Sequence, residues 1–427
     1  MALIRLPELP RRVARSLVAT LLSVSLMACS SAPEKPDSND DAESVSEGVL
    51  PDFDAQLSFD VHWRKTLGKG PGSAYTRLRV AERNGQVFAA DTGGQVLALN
   101  LDDGSEIWQV TMEQPITAGV TLVGEQLFIA TRDGVLHCLS ASDGETLWQA
   151  VLSSESIAPA AADARRVFVH TVDGRISAFE REDGKQAWSY EHAMPVLTVR
   201  GTGSPLVLDN FVVTGFATGK VVALDKTLGI PRWDKRLATP DGRSELERLV
   251  DVDGSPVWQD GRIYAASYHG NLASIGLNGD TEWEESGSGY TSPELALGNI
   301  YLTLEDSAIR AYDQRNGATQ WLQTALQQRD LGQVTAVGNY LLVADGEGYI
   351  HALRQVDGDL VGRLHMRPKP LHISYPNQSE ATNWRLLRGR DFGIRSPLIE
   401  TNQGVLVYTN AGELALVGLS ELDDTGR

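Results

Sequence analysis

Phe128-Ile-Ala-Thr-Arg-Asp-Gly134-Val-Leu-His-Cys-Leu-Ser-Ala-Ser-Asp143-Gly144-Glu-Thr-Leu-Trp148 decides the fold. It holds two runs of alternating side chains joined by glycine-containing turns, the pattern of antiparallel hairpins. The preceding unit runs from Phe88 through Gly94-Gln-Val-Leu-Ala-Leu and Asp103-Gly104 to Trp108. The following one runs from Phe168 through Gly174-Arg-Ile-Ser-Ala-Phe and Asp183-Gly184 to Trp188. The three tryptophans stand 40 residues apart, the period of a propeller blade.

Working outward gives the blade number. Runs like the third strand of the unit follow Gly94, Gly134, Gly174, Gly219, Gly270, Asp306, Gly348 and Gly412. The fourth-strand position carries Trp63, Trp108, Trp148, Trp188, Trp233, Trp283 and Trp321, with Gly362 as the eighth. The run from Gly412 to Leu419 has no fourth strand after it, and Trp63 has no third strand before it. Each supplies what the other lacks. The expected fold is therefore all-β, an eight-bladed propeller whose ring is closed by the N-terminal strand, which leaves only short, protected edges. The recurring tryptophans are expected to pack between blades rather than to bind a ligand.

Two stretches break the rhythm. Residues 237–253 lengthen the fifth unit with a polar, charged segment, and residues 363–395 lengthen the last unit with a basic one, net +5. Per-blade insertions map to loops on one face of a propeller, often the binding face. Tolerated loop drift accounts for the basic stretch equally well.

The chain ahead of the repeats divides in two. In residues 1–28, four arginines (Arg5, Arg11, Arg12, Arg15) face one glutamate, and Leu17 to Met27 is apolar but too short to span a membrane. Leu26-Met27-Ala28-Cys29 resembles the lipobox cleaved before a cysteine that receives diacylglycerol. Cys29 is therefore expected to be lipidated, and Ser30, rather than an aspartate after it, points to the outer membrane. Residues 29–54 then form the lipidated cysteine and an acidic tether too poor in apolar groups to fold. Residues 55–427 form the propeller. The whole-chain charge of −18 becomes about −21 without residues 1–28, which argues against a sequence-independent grip on nucleic acid.

Catalytic signatures are missing: no His-Glu-x-x-His, paired Cys-x-x-Cys or Gly-x-Ser-x-Gly appears. Of eight histidines, His137 and His351 occupy similar third-strand places, which repeat ancestry explains better than metal ligation. Cys138, inside a regular strand, is expected to be a small core hydrophobe. No cofactor and no metal is expected.

The repeated Gly-x-Val-x-Ala-Leu…Asp-Gly-x-x-x-Trp resembles the repeat of the quinoprotein (PQQ-dependent) dehydrogenases, which are also eight-bladed propellers. Those enzymes typically add a vicinal cysteine pair and a bound calcium, and this chain has no adjacent cysteines. With lipobox, acidic tether and propeller together, the mature chain resembles the BamB family, lipoproteins of the outer-membrane β-barrel assembly machinery. Met194-Pro195-Val-Leu197-Thr-Val199-Arg200-Gly201 resembles the family's Met-Pro-x-Leu-x-Leu-Arg-Gly loop, with Val199 in place of leucine. Arg248-Leu249-Val-Asp251-Val-Asp253 resembles its Arg-Leu-x-Asp-Val-Asp segment. The resemblance implies a non-catalytic scaffold that meets the periplasmic POTRA domains of BamA, the barrel-forming subunit, with unfolded outer-membrane protein clients as a second candidate partner. The implied contact residues are Leu197, Val199, Arg200, Asp251 and Asp253, the two aspartates either pairing with partner cations or holding their own loop through turn hydrogen bonds. Readings from other classes are a degenerate quinoprotein oxidising alcohols or sugars, and a glycan-binding propeller.

Overall fold

The computed structural model describes residues 50–72, 77–195, 197–198, 201–367, 371–372, 384–385 and 389–422, giving the backbone alone at 371–372, 384–385 and 389–390. Cys29 and the expected tether up to residue 49 lie outside them, as do Val199 and Arg200.

The described residues form eight antiparallel four-stranded sheets, one for each unit counted in the sequence. Blades 1 to 7 cover 81–111, 116–151, 161–191, 206–236, 257–286, 294–323 and 335–365. Blade 8 takes three strands from 399–421 and its fourth from Leu57–Thr66, which pairs antiparallel along Glu413–Glu421. The ring closes as the orphan strands imply. First strands of neighbouring blades touch, so they ring the axis. Blade 2 alone gains a fifth strand: Arg77–Leu78 runs parallel to Ile116–Val123.

Each fourth strand contains one extra residue just before the tryptophan position. Glu106 faces Leu99 and Trp108 faces Ala98, so Ile107 is bulged out, 45% exposed. The same register shift recurs in the other seven blades. A bulge re-aims the next side chain, here turning each indole toward the following blade. The Nε1–H of Trp108 donates to Ala141 O at 2.9 Å and that of Trp188 to Lys226 O at 3.0 Å. Trp63, Trp148, Trp233, Trp283 and Trp321 do the same. Each ring lies against the turn glycine of that neighbouring blade. Gly229, with φ +71°, would carry a Cβ 2.5 Å from the Trp188 ring. These turns thus need glycine twice over, for positive φ and for the indole.

The eighth junction differs because blade 8 has no covalent turn between its third and fourth strands. Gly362 replaces tryptophan there, and a Cβ would press on Leu57 and Phe59 at 3.1 Å. Residues just before the closing strand tie down blade 7 instead. Arg363 donates to Pro51 O at 2.7 Å and its guanidinium lies 4.8 Å from the Phe53 ring centre, while Gln56 N–H donates to Val361 O at 2.8 Å.

Two expected boundaries move. Arg363 and His365 belong to the blade 7 strand Leu360–His365, so the inserted segment starts after them; within it Leu371–His372 pairs with Trp384–Arg385. The third strand of blade 6 begins at Ile309 rather than directly after Asp306, because Ser307 takes the positive φ (+68°) that glycine holds in most other blades. Cys138 is fully buried, and burial pushes its thiol up to about 12.

Candidate partner-binding surface

All connectors from a fourth strand to the next first strand leave the ring on one face, since every blade has the same strand order and hand. The loop with Leu197 joins blades 3 and 4, and the loop with Asp251 and Asp253 joins blades 4 and 5. They are neighbours on this connector face. Ser204 N–H donates to Ser255 Oγ at 2.9 Å, and a Cβ on Gly201 would overlap the Asp253 carboxylate. Gly201 is therefore the point at which one loop rests on the other.

Leu197 is 46% exposed. Asp251 and Asp253 are 1% and 2% exposed, so in this conformation neither carboxylate is open to a partner. The Val-Asp-Val-Asp alternation explains why. Val250 and Val252 point into the core, where Val252 fills the space left by Gly215, so the aspartates face the opposite way, under the loops. Tyr268 N–H donates to Asp251 O at 2.7 Å and Arg77 Nη1 to Asp253 O at 2.6 Å. Both Asp251 carboxylate oxygens and Asp253 Oδ1 have no hydrogen-bond partner among the described residues. Burial raises the pKa of both, with each other's charge adding to Asp251 and Arg77 opposing at Asp253. Two carboxylates this close in a dry site do not both ionise.

Around them the face is apolar and aromatic. The turn 244–249 is fixed by a capping box: Glu247 N–H donates to Ser244 Oγ, and Glu247 accepts from Arg243 N–H and Ser244 N–H. This turn presents Leu246, 69% exposed. Tyr268 stacks on Tyr290 at 4.5 Å and on His269 at 3.7 Å, and His269 Nδ1–H donates to Leu249 O at 2.9 Å. Leu246, Tyr268 and Tyr290 were not singled out from the sequence. The available signal was the Ser244-Glu-Leu-Glu box inside an insertion.

A second missed pattern is Ser-Pro at the entry to first strands: Ser204-Pro205, Ser255-Pro256, Ser292-Pro293 and Ser396-Pro397. Proline suits the first residue of a strand, where its missing N–H breaks no ladder. The serines stitch connectors together around the axis: Ser255 N–H donates to Ser292 Oγ at 2.9 Å, and Ser396 Oγ to Leu78 O at 2.7 Å. The connector face is thereby made rigid at its centre.

Comparison with known proteins follows the same line. The family model described as outer membrane protein assembly factor BamB matches residues 92–323 and 305–380. The chain is 44% identical over 343 residues to the outer membrane protein assembly factor BamB of Pseudomonas aeruginosa, covering 80% of this chain and 88% of the relative. It is 34% identical over 360 residues to that of Escherichia coli K12, covering 81% and 90%. The crystal structure of BamB from Moraxella catarrhalis superposes with a TM-score of 0.73 at 26% identity, covering 84% of this chain and 100% of that one. The quinohemoprotein alcohol dehydrogenase of Comamonas testosteroni shares the fold alone, at TM-score 0.62 and 12% identity, covering 86% of this chain and 78% of that one.

Proposed function

We propose, from the premise that this chain belongs to the BamB family of outer membrane protein assembly factors, that its connector face docks on the periplasmic POTRA domains of BamA. Its role is outer membrane protein assembly, and it is associated with the outer membrane. The finer reading is a non-catalytic scaffold, lipidated at Cys29, tethered by residues 29–54 on the periplasmic side, with unfolded outer-membrane protein clients as a second candidate partner.

The observation that carries the docking site is the meeting of two connectors at Gly201 and Asp253. It sets Leu197 on the same face as Leu246 and the Tyr268–Tyr290 stack. Isolated exposed apolar side chains are ordinary, but several on one rigid face favour a partner. Leu197, Val199 and Arg200 supply apolar anchors and a planar cation. Asp251 and Asp253 act from beneath, as support for the loops.

Interface energy concentrates in a few side chains, and truncating such anchors costs about 2 kcal/mol or more. Leu197→Ala with Arg200→Ala is expected to abolish capture of the BamA periplasmic domains by the full-length lipoprotein, with the circular dichroism spectrum and melting temperature unchanged. Undiminished capture by this well-folded double variant refutes the interface.

A further inference from the structure

Arg79 lines the central cavity of the ring and is not used by the docking reading. It lies where the chain enters blade 1, held by backbone hydrogen bonds to blade 2: Arg79 N–H donates to Gly119 O at 2.8 Å and Val120 N–H to Arg79 O at 3.1 Å. From there its side chain lines a cavity of about 370 Å³ inside the ring of first strands, a volume in the range of small-molecule sites.

The walls of this cavity are of two kinds. Val123, Ala160, Pro205, Leu206, Val207 and Pro256 make it mostly apolar. Thr121, Ser204 and Ser255 add hydroxyls; Thr121 Oγ1 is committed to Ala160 O at 2.6 Å, and Ser255 Oγ accepts from Ser204 N–H. Among the described residues the Arg79 guanidinium has no ion pair and no hydrogen bond to protein. Elsewhere in the ring buried guanidinium groups are paired, as Arg329 is with Asp345 and Glu347, and Arg166 with Glu180. Arg79 is part-buried, so its guanidinium meets the solvent of the cavity and no protein acceptor among the described residues, and burial lowers its pKa below the ordinary arginine value.

We propose that the central cavity is a binding site for a small monocarboxylate with a branched apolar body, its carboxylate held by the Arg79 fork and its hydrocarbon against Leu206, Val207 and the two prolines. Guanidinium and carboxylate match in a bidentate geometry, and the apolar wall distinguishes this ligand from inorganic phosphate, which has no apolar part to bury. Ser204 and Ser255 line the same cavity and add hydroxyls to its wall.

The full-length lipoprotein in detergent is titrated with sodium 3-methylbutanoate, with the neutral isostere 3-methylbutanamide and with inorganic phosphate, at constant ionic strength, following the melting temperature. A saturable rise with the carboxylate that the amide and phosphate do not reproduce supports the site. No saturable rise with the carboxylate, or an equal one with the amide or with phosphate, overturns it. Arg79→Met is expected to weaken carboxylate binding at least tenfold, with Arg79→Lys intermediate. Should Arg79→Met fail to fold, phenylglyoxal modification of Arg79 in the unaltered protein, read by peptide mass spectrometry, decides the matter: the carboxylate slows it and the amide does not. Equal modification with and without carboxylate overturns the site.

Discussion

Burial acts on Asp251 and Asp253 through their protons. Both carboxyls sit in a nearly dry space with unfilled acceptor positions, and the folded protein holds each above the ordinary aspartate value. A group raised on folding contributes its full stability below its unfolded pKa, about 4 for aspartate, and loses it as pH rises toward the folded value. The unfolding free energy is therefore expected to fall between about pH 5 and pH 8, by up to roughly 1.4 kcal/mol per pH unit for one proton, and the melting temperature to fall with it. Asp251→Asn keeps the shape without the proton and is expected to flatten that slope, measured by scanning calorimetry across the same range. A slope unchanged in the variant assigns the pH dependence to other groups. The sequence carried the position of these aspartates but not their direction. Alternation with Val250 and Val252 shows only that the aspartates oppose the valines; which side is covered depends on Arg77 and Tyr268, remote in sequence.

At the scale of the element, the blade is a strand pattern plus one lock. The eight units, the turn glycines and the seven tryptophans were legible because each repeats at a fixed place and the chain length fits the count. The lock was half legible: inter-blade packing followed from the repeat, whereas the bulge that aims each indole, and the carbonyl that receives it, did not, since neither leaves a residue-type signature. Gly229 tests the lock. Gly229→Ala forces a Cβ into a positive-φ turn and against the Trp188 ring, and a cost of about 2–4 kcal/mol is expected. In the background of Trp188→Ala the same substitution is expected to cost less, because only the backbone part remains. Additive losses in this double-mutant cycle, measured by denaturant unfolding, remove the indole contact from the explanation. The Ser-Pro entries to first strands were overlooked because the dipeptide is short and common, and only the ring places the copies side by side.

The whole molecule depends on a seam that is not covalent. Ser58 and Ser420, 362 positions apart, hydrogen-bond across it at 2.7 Å, and Arg64 pairs with Glu413 at 2.8 Å. Deleting residues 61–65 leaves the third strand of blade 8 with an unpaired edge and removes Trp63 from its contact with Leu101 O. A large fall in melting temperature, or aggregation, is expected, and a deletion variant as stable as the parent shows that the ring closes by other means. The seam also sets an order of events. The strand Leu57–Thr66 is made early and its partner Glu413–Glu421 late, and a contact of such long sequence separation forms slowly. During synthesis and export the opening strand has to wait for its partner while seven blades take shape between them. A chain cut short anywhere before Glu413 cannot close, however well those seven have folded, so the circle completes only on a polypeptide delivered through its final strand.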